Sequence, residues 1–338
     1  MATAKKLPSG NWRVRVYVNG KYESVTAPTK REAELEAAKL AAGREYRSAN
    51  NITLREAMRS YIDSKSNILS PATIRSYNSI LQLRLQNIME IPISKITRTD
   101  IQKAINTDAK DISQKTVRNA FGLLTATMKQ FRPELSLKNI DLGKREKIEM
   151  YIPTDKEVSK LLCEAKGTEM ELAIALAAMM GLRRSEITAL TWRESVDMKN
   201  KKVHIQSALV RGADNEHVLK APKSYAGNRT LTMPEYIYKL FLQQKKRKRS
   251  NMVFEMNGEQ LYKRFIKLQK AAELPHFRFH DLRHYNASVM LALNIPNKYA
   301  AERMGHADDT MLKKVYQHLM EDKNKDIDDS IEKYFQGI

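Results

Sequence analysis

The sequence predicts a multidomain, mainly α protein with small β elements: an N-terminal three-stranded sheet plus helix, a helical bundle, and a mixed α/β region. Three observations carry that reading. Strict two-residue alternation is confined to short runs, of which 12–18 is the clearest. Helix-start signals of the Thr-x-x-Glu type recur at Thr29, Thr53 and Thr154, each ahead of apolar residues at three- and four-residue spacing. A length of 338 residues suits two or three domains, and the polar stretch 141–150 falls between apolar-rich segments.

Residues 1–50 open on a Pro8-Ser9-Gly10 turn. Trp12, Val14, Val16 and Val18 then share one face and Arg13, Arg15 and Tyr17 the other, as in a half-buried strand. Asn19-Gly20 suits the two left-handed positions of a type I′ hairpin, so 22–26 returns as the partner strand. Thr29 with Glu32 caps a helix whose Leu35, Ala38 and residues 40–42 are expected to cover the sheet. The opposite face, with Arg13, Arg15 and Tyr17, is either a solvated sheet surface or a DNA-groove reader of the β-sheet kind.

Residues 51–145 are expected to form four helices with short connections, a compact bundle. Thr53 and Glu56 precede Leu54, Met58, Tyr61 and Ile62, and Ser70-Pro71 starts a helix through Ile74, Tyr77, Leu81 and Leu85. Two more begin at Thr99 and Ser113, the last running through Val117, Phe121, Leu124 and Met128. Arg75, Lys115 and Arg118 lie off the apolar stripes, where a cation either faces water or meets a phosphate.

Beyond 151, Thr154 and Glu157 cap a helix, and a strongly apolar helix over 170–182 ends at Gly181. Segments 203–210 and 229–233 look like strands, joined by a polar connection, 219–228, that holds Lys220 and Lys223. The basic run 245–249 suits a solvated helix end. The tail places Ile327, Ile331, Tyr334 and Phe335 on one apolar face.

Lys and Arg number 59 against 39 Asp and Glu, a net charge of +20. All three regions share the excess, about +5, +7 and +8 in chain order, which suits a chain laid along a polyanion better than one carrying a single basic arm. Cys163 is the only cysteine, so no intrachain disulfide forms and a reducing, cytoplasmic setting is expected, nucleoid-associated if the partner is DNA. The longest apolar run, 172–182, has 11 residues, well short of a membrane span, and no signal peptide is expected before the first turn.

The chemistry-bearing residues cluster late in the chain. Arg183 directly follows the apolar helix, with Glu186 three residues on to hold its guanidinium; it is either a solvent-facing charge or a fixed anion ligand. His280 and Arg283 open another helix, Gly305 and His306 lie at a turn, and Tyr316 follows on a basic segment. A phosphodiester under attack gathers negative charge on its non-bridging oxygens, which fixed guanidinium and imidazole donors stabilise without a metal. A tyrosine held in line would be the nucleophile. His280 and His284 could instead be a zinc pair at i, i+4, although Asp281 stands where the H-E-x-x-H pattern has Glu and no Cys lies near.

With GLRRSEI at 181–187, HDLRH at 280–284, GH at 305–306 and YQH at 316–318 in this order, the chain resembles the tyrosine recombinases, in particular the integrases of phages and conjugative transposons. The resemblance implies an arm-site DNA-binding domain at 1–50, a helical core-site DNA-binding domain at 51–145, and a tyrosine-recombinase catalytic domain with a C-terminal tail helix at 151–338. It also implies catalytic roles for Arg183, Lys223, His280, Arg283 and His306, with Tyr316 as nucleophile. The implied partners are double-stranded DNA, three further copies of the chain in a tetramer, and accessory bending or directionality factors; neither cofactor nor metal is implied. Arg184 departs from the pattern, standing where an apolar residue is more usual. A type IB topoisomerase would share the chemistry, and a catalytically silent DNA-binding protein would share the fold.

Overall fold

The computed structural model describes residues 4–18, 21–38, 52–144, 151–221, 227–247 and 249–305, with 310, 312, 313 and 315 beyond them. The chain divides into two compact units, Met1–Lys147 and Ile148–Ile338. In the first, β1 (Lys5–Lys6), β2 (Trp12–Val18) and β3 (Lys21–Ala27) form an antiparallel sheet in that order. Val18 pairs with Lys21, the register a two-residue hairpin connection dictates, and Asn19-Gly20 themselves lie outside the described residues.

The predicted faces of β2 hold: Val14 is fully buried and Arg13, Arg15 and Tyr17 are exposed. Helix α1, over 30–38, starts at Thr29, whose hydroxyl accepts the Glu32 N–H at 3.2 Å. Its buried face differs from the expected one. Ala33 and Ala37, one turn apart, pack with Ala4, Val14 and Ala27, whereas Leu35 is 55% exposed and Ala38 faces water; 40–42 lie outside the described residues. The larger apolar side chain attracts a helix assignment, but the small alanines permit close approach of helix and sheet.

The bundle follows: α2 (Leu54–Ser64), α3 (Pro71–Leu83), the single turn α4 (Gln86–Met89), α5 (Arg98–Asp108) and α6 (Gln114–Phe131). Reciprocal Thr53/Glu56 and Thr97/Asp100 boxes satisfy first-turn N–H groups, so α5 is capped by Thr97, two residues before the expected Thr99. Leu54, Met58, Ile62, Leu81, Ile101, Val117, Leu124 and Met128 meet in one core. Leu85 joins that core from beyond the end of α3, in a left-handed conformation (φ 56°), not as part of the helix. Arg132 fixes the α4–α5 connection by donating to the carbonyls of Ile93 (2.9 Å) and Ile96 (2.6 Å).

In the second unit, α7 (Asp155–Glu164), capped by Thr154 and Glu157, leads to α8 (Glu169–Met180). Apolar all round, α8 is the central helix, in contact with α7 and with the later helices α10, α11 and α12. It ends at Gly181 (φ 68°), followed by the single turn α9 (Arg184–Ile187). Then come β4 (Val196–Asp197), β5 (Lys202–Ile205), β6 (Ala208–Arg211), β7 (His217–Lys220) and β8 (Arg229–Thr232). The expected single strand over 203–210 is thus two strands, and 217–220, expected partly as open connection, is a third. β5 pairs with β8 while β6 pairs with β7 in a separate two-stranded sheet, so the chain leaves one sheet and starts a hairpin between them. Helices α10 (Glu235–Lys246), α11 (Gly258–Ala271), α12 (Asp281–Ala292) and α13 (Asn297–Met304) complete the described part. The basic run begins in the last turn of α10, where cations suit the helix dipole. Among the described residues no helix is long and apolar enough to cross a membrane.

Candidate active site

Gly181 sets up the site. Its left-handed conformation turns the chain sharply off α8 and aims its carbonyl at Arg283, which donates to it. A Cβ here would lie 2.7 Å from Asn286 Oδ1, so the glycine also lets α12 approach; Asn286 Nδ2 donates to the Ala178 carbonyl at 3.0 Å. Arg283 is fully buried and also donates to the Met304 carbonyl. Burial and the neighbouring Arg183 lower the pKa of its guanidinium. An arginine begins from so high a value that it still carries its charge at neutral pH.

Arg183, one-third exposed, precedes α9. Its backbone N–H and Nη1 both donate to Glu186, at 2.9 and 2.6 Å, and Nη2 donates to the Gly305 carbonyl at 2.9 Å. Thus the two arginines grip consecutive carbonyls, Met304 and Gly305, at the end of α13, where Gly305 takes the left-handed cap position (φ 66°). Glu186 is buried and accepts from Arg229 as well, at 2.8 and 3.3 Å. Burial would raise its pKa, but the hydrogen bonds and charges of Arg229 and Arg183 prevail and hold the carboxyl below its usual range.

His280 stands at the N-terminal end of α12 with its ring 5.0 Å from that of His284, edge to face. The protein around it disfavours the imidazolium, and His284, Arg283 and Arg183 add to this, so its pKa falls to about 4. The residue is itself exposed on its open side, where water favours the charged ring and opposes the shift. Asp281, nearly fully buried, accepts from the Arg278 backbone at 2.7 Å and from its guanidinium at 2.7 Å, fixing the start of α12.

An open cleft of about 420 Å³ is lined by Arg183, Arg184, Ser185, Tyr262, Arg278, Phe279 and His280. Arg184 lies over the Tyr262 ring, 5.7 Å from its centroid, so this departure from the expected apolar type adds a cation to the cleft wall. A larger depression of about 700 Å³, near Glu169, Lys246, Arg247 and Arg264, contains none of the predicted site residues.

The structure therefore brings Arg183, Arg283 and His280 together from stretches about a hundred residues apart. Lys223, His306 and Tyr316, and the apolar tail face at Ile327, Ile331, Tyr334 and Phe335, lie outside the described residues. Lys220 ends β7, opposite Ala208. In the first unit Arg13, Arg15, Arg75 and Lys115 are exposed, and Tyr17 packs edge-on against Tyr22 at 4.9 Å. Arg118 differs from these, since its Nη2 donates to the Gly143 carbonyl at 2.6 Å and so helps hold the chain after the bundle. Sequence reasoning missed Arg229. Its signal was present: alternation along β8 puts it on the buried face with Leu231, where an arginine needs a carboxylate.

Two family models match the chain: the phage integrase family over residues 153–323, and the phage integrase N-terminal SAM-like domain over 53–107. A tyrosine recombinase XerC-like protein of Caldanaerobacter subterraneus subsp. tengcongensis is 23% identical over 206 residues, 52% of each chain. The putative prophage phiRv2 integrase of Mycobacterium tuberculosis is 24% identical across 52% of this chain and 49% of its own. The transposase from transposon Tn916 of Enterococcus faecalis is 26% identical across 49% and 47%. The chain thus spans about half the length of the curated relatives it matches. Among solved structures, Tn1549 transposon integrase in complex with transposon right end DNA superposes with a TM-score of 0.67 at 19% identity, covering 81% of this chain and 99% of that one. A lambda integrase tetramer bound to a Holliday junction gives 0.59 at 16% identity, covering 93% and 94%.

Proposed function

Since the chain belongs to the phage integrase family, we propose that it is a site-specific DNA recombinase that integrates and excises a mobile element through a 3′-phosphotyrosyl intermediate. The observation that carries the proposal is the convergence of Arg183, Arg283 and His280, with both guanidiniums held by backbone carbonyls at the end of α13, directly before His306 in the sequence. Donors fixed by the fold need no reorganisation when charge develops on a phosphate, which is how such sites lower barriers.

The Tyr316 oxygen attacks the scissile phosphorus and its proton passes to His280, whose low pKa leaves it neutral and able to accept. The bond from phosphorus to the 5′ oxygen breaks, and Lys223 supplies the proton that turns the leaving oxygen into a hydroxyl. Arg183, Arg283 and His306 balance the charge on the non-bridging oxygens. A 5′ hydroxyl from the partner duplex then attacks the phosphotyrosine and releases Tyr316. The phosphoester bond is conserved throughout, so ATP is not consumed.

The shared fold with integrases solved on DNA, including a tetramer on a Holliday junction, supports double-stranded DNA as partner and a tetramer as the working assembly. Accessory factors would set direction.

Denaturing gels on core-site DNA test the proposal. Wild type should leave a protein–DNA adduct, also in excess chelator, while Tyr316→Phe should bind equally yet leave none, because only the hydroxyl is lost. An adduct from Tyr316→Phe would overturn the nucleophile, and a wild type that binds without forming one would favour the silent DNA-binding reading.

A further inference from the structure

We propose that Arg229 is a positioning residue for strand cleavage: it shares the Glu186 carboxylate with Arg183 and thereby fixes the Arg183 guanidinium while leaving its charge available to the scissile phosphate. The inference rests on the recombinase reading above.

The carboxylate is shared almost symmetrically. Glu186 Oε1 accepts Arg183 Nη1 at 2.6 Å and Arg229 Nη1 at 3.3 Å; Oε2 accepts the Arg183 backbone N–H at 2.9 Å and Arg229 Nη2 at 2.8 Å. Two cations on one anion leave the cluster with a net positive charge. Arg229 is buried and cannot itself meet a phosphate, whereas Arg183 is one-third open at the cleft, so the surplus charge is expressed there. Removing Arg229 would leave Arg183 as the only charge partner, among the described residues, of a buried carboxylate, pulling the guanidinium inward and neutralising it.

Arg229 also ties together the chain around the site. Its Nε donates to the Arg303 carbonyl at 2.8 Å and its Nη1 to the Gly227 carbonyl at 3.3 Å. Gly227 follows the segment that contains Lys223, and Arg303 lies two residues before the Gly305 carbonyl that Arg183 grips. One buried side chain thus bridges the Arg183 turn, the start of β8 and the end of α13. If Arg229 served only to stabilise the fold, its loss would lower cleavage by the same factor whatever residue stood at 183.

A double-mutant cycle on the full chain separates these cases, using single-turnover adduct formation on nicked core-site DNA at a temperature where each variant's melting curve shows it folded. Arg229→Gln should slow adduct formation about 10–100-fold with little change in DNA affinity, somewhat less than the loss of a direct oxyanion donor. In an Arg183→Gln background the same change should cost less than about 3-fold, because a residue acting through another loses its effect when that one is gone. Arg229→Lys, which keeps a charge on Glu186, should recover much of the rate, and Arg229→Met, which removes the charge at similar length, carries the cycle if Arg229→Gln does not fold. Equal losses in both backgrounds, or a wild-type rate in Arg229→Gln, would overturn this inference alone. A wild type that forms no adduct overturns it together with the recombinase reading.

Discussion

His280 links a local electrostatic setting to a measurable pH profile. Its surroundings push the imidazole pKa down to about 4 from an ordinary 6.5. A lowered pKa means the ring sheds its proton earlier as pH rises, so it is neutral, and competent as a base, from about pH 5 upward. The cleavage rate should therefore stay nearly flat between about pH 5.5 and 7 and fall only as pH approaches 4. A half-drop near pH 6.5 would show that solvent at the open side of the ring cancels the shift. His280→Gln should lower the rate about 10²–10⁴-fold and remove that acid limb. At the same scale, the sequence exposed the residue types but not their partners. Spacing alone left Arg183 open as a solvent-facing charge and His280 with His284 as a zinc pair; it was the order of 181–187, 280–284, 305–306 and 316–318, through the resemblance it carries, that singled out Arg183, His280 and Arg283. The second cation on Glu186 comes from 43 residues away; alternation along β8 marks Arg229 as a buried arginine in need of a carboxylate, but local spacing does not say which one.

Among the elements, those whose ends are chemically marked were the legible ones. Thr53, Ser70, Ser113 and Thr154 each cap the helix expected of them, and Gly181 ends α8, because capping is decided within four residues. The break of 203–210 into β5 and β6 was not legible, since no Gly or Pro marks it and pairing to β8 or to β7 is what separates the halves. That hairpin bears on the general acid. Lys220 is held in register at the end of β7 opposite Ala208, whereas Lys223 lies three residues further along the chain toward β8. A substrate with sulfur at the bridging 5′ position needs no proton to leave. Lys223→Ala should be slow on normal DNA and largely restored on the sulfur substrate, while Lys220→Ala should show a binding defect that sulfur does not repair. The opposite pattern would move the acid to Lys220, and restoration of neither would remove lysine from the leaving-group step.

At the scale of the whole molecule, the net charge of +20 is spread through the chain, and about +5 of it sits in the first 50 residues, far in sequence from the residues of the proposed reaction. The three-stranded sheet there has one face closed by α1 and one open, on which Arg13, Arg15 and Tyr17 of β2 stand opposite Thr26, Ser24 and Tyr22 of β3. Two exposed arginines two residues apart on one strand face project in the same direction, at a spacing of roughly 6.5–7 Å along the strand. A β-sheet laid in the major groove would bring such a pair to base edges, where one bidentate arginine contact to guanine contributes roughly 1–3 kcal/mol of discrimination. Replacing Arg13 and Arg15 together by alanine should therefore weaken binding to distal arm sites at least about 5-fold for a single such contact, and more if both arginines read bases. Core-site adduct formation should be untouched, because every residue assigned to the chemistry lies beyond 180. Plain phosphate contacts would weaken binding to all sequences alike and flatten its salt dependence, so competition between arm-site and random DNA at two salt concentrations distinguishes reading from mere attraction. Unchanged arm-site affinity in the double variant would return this face to a solvated surface.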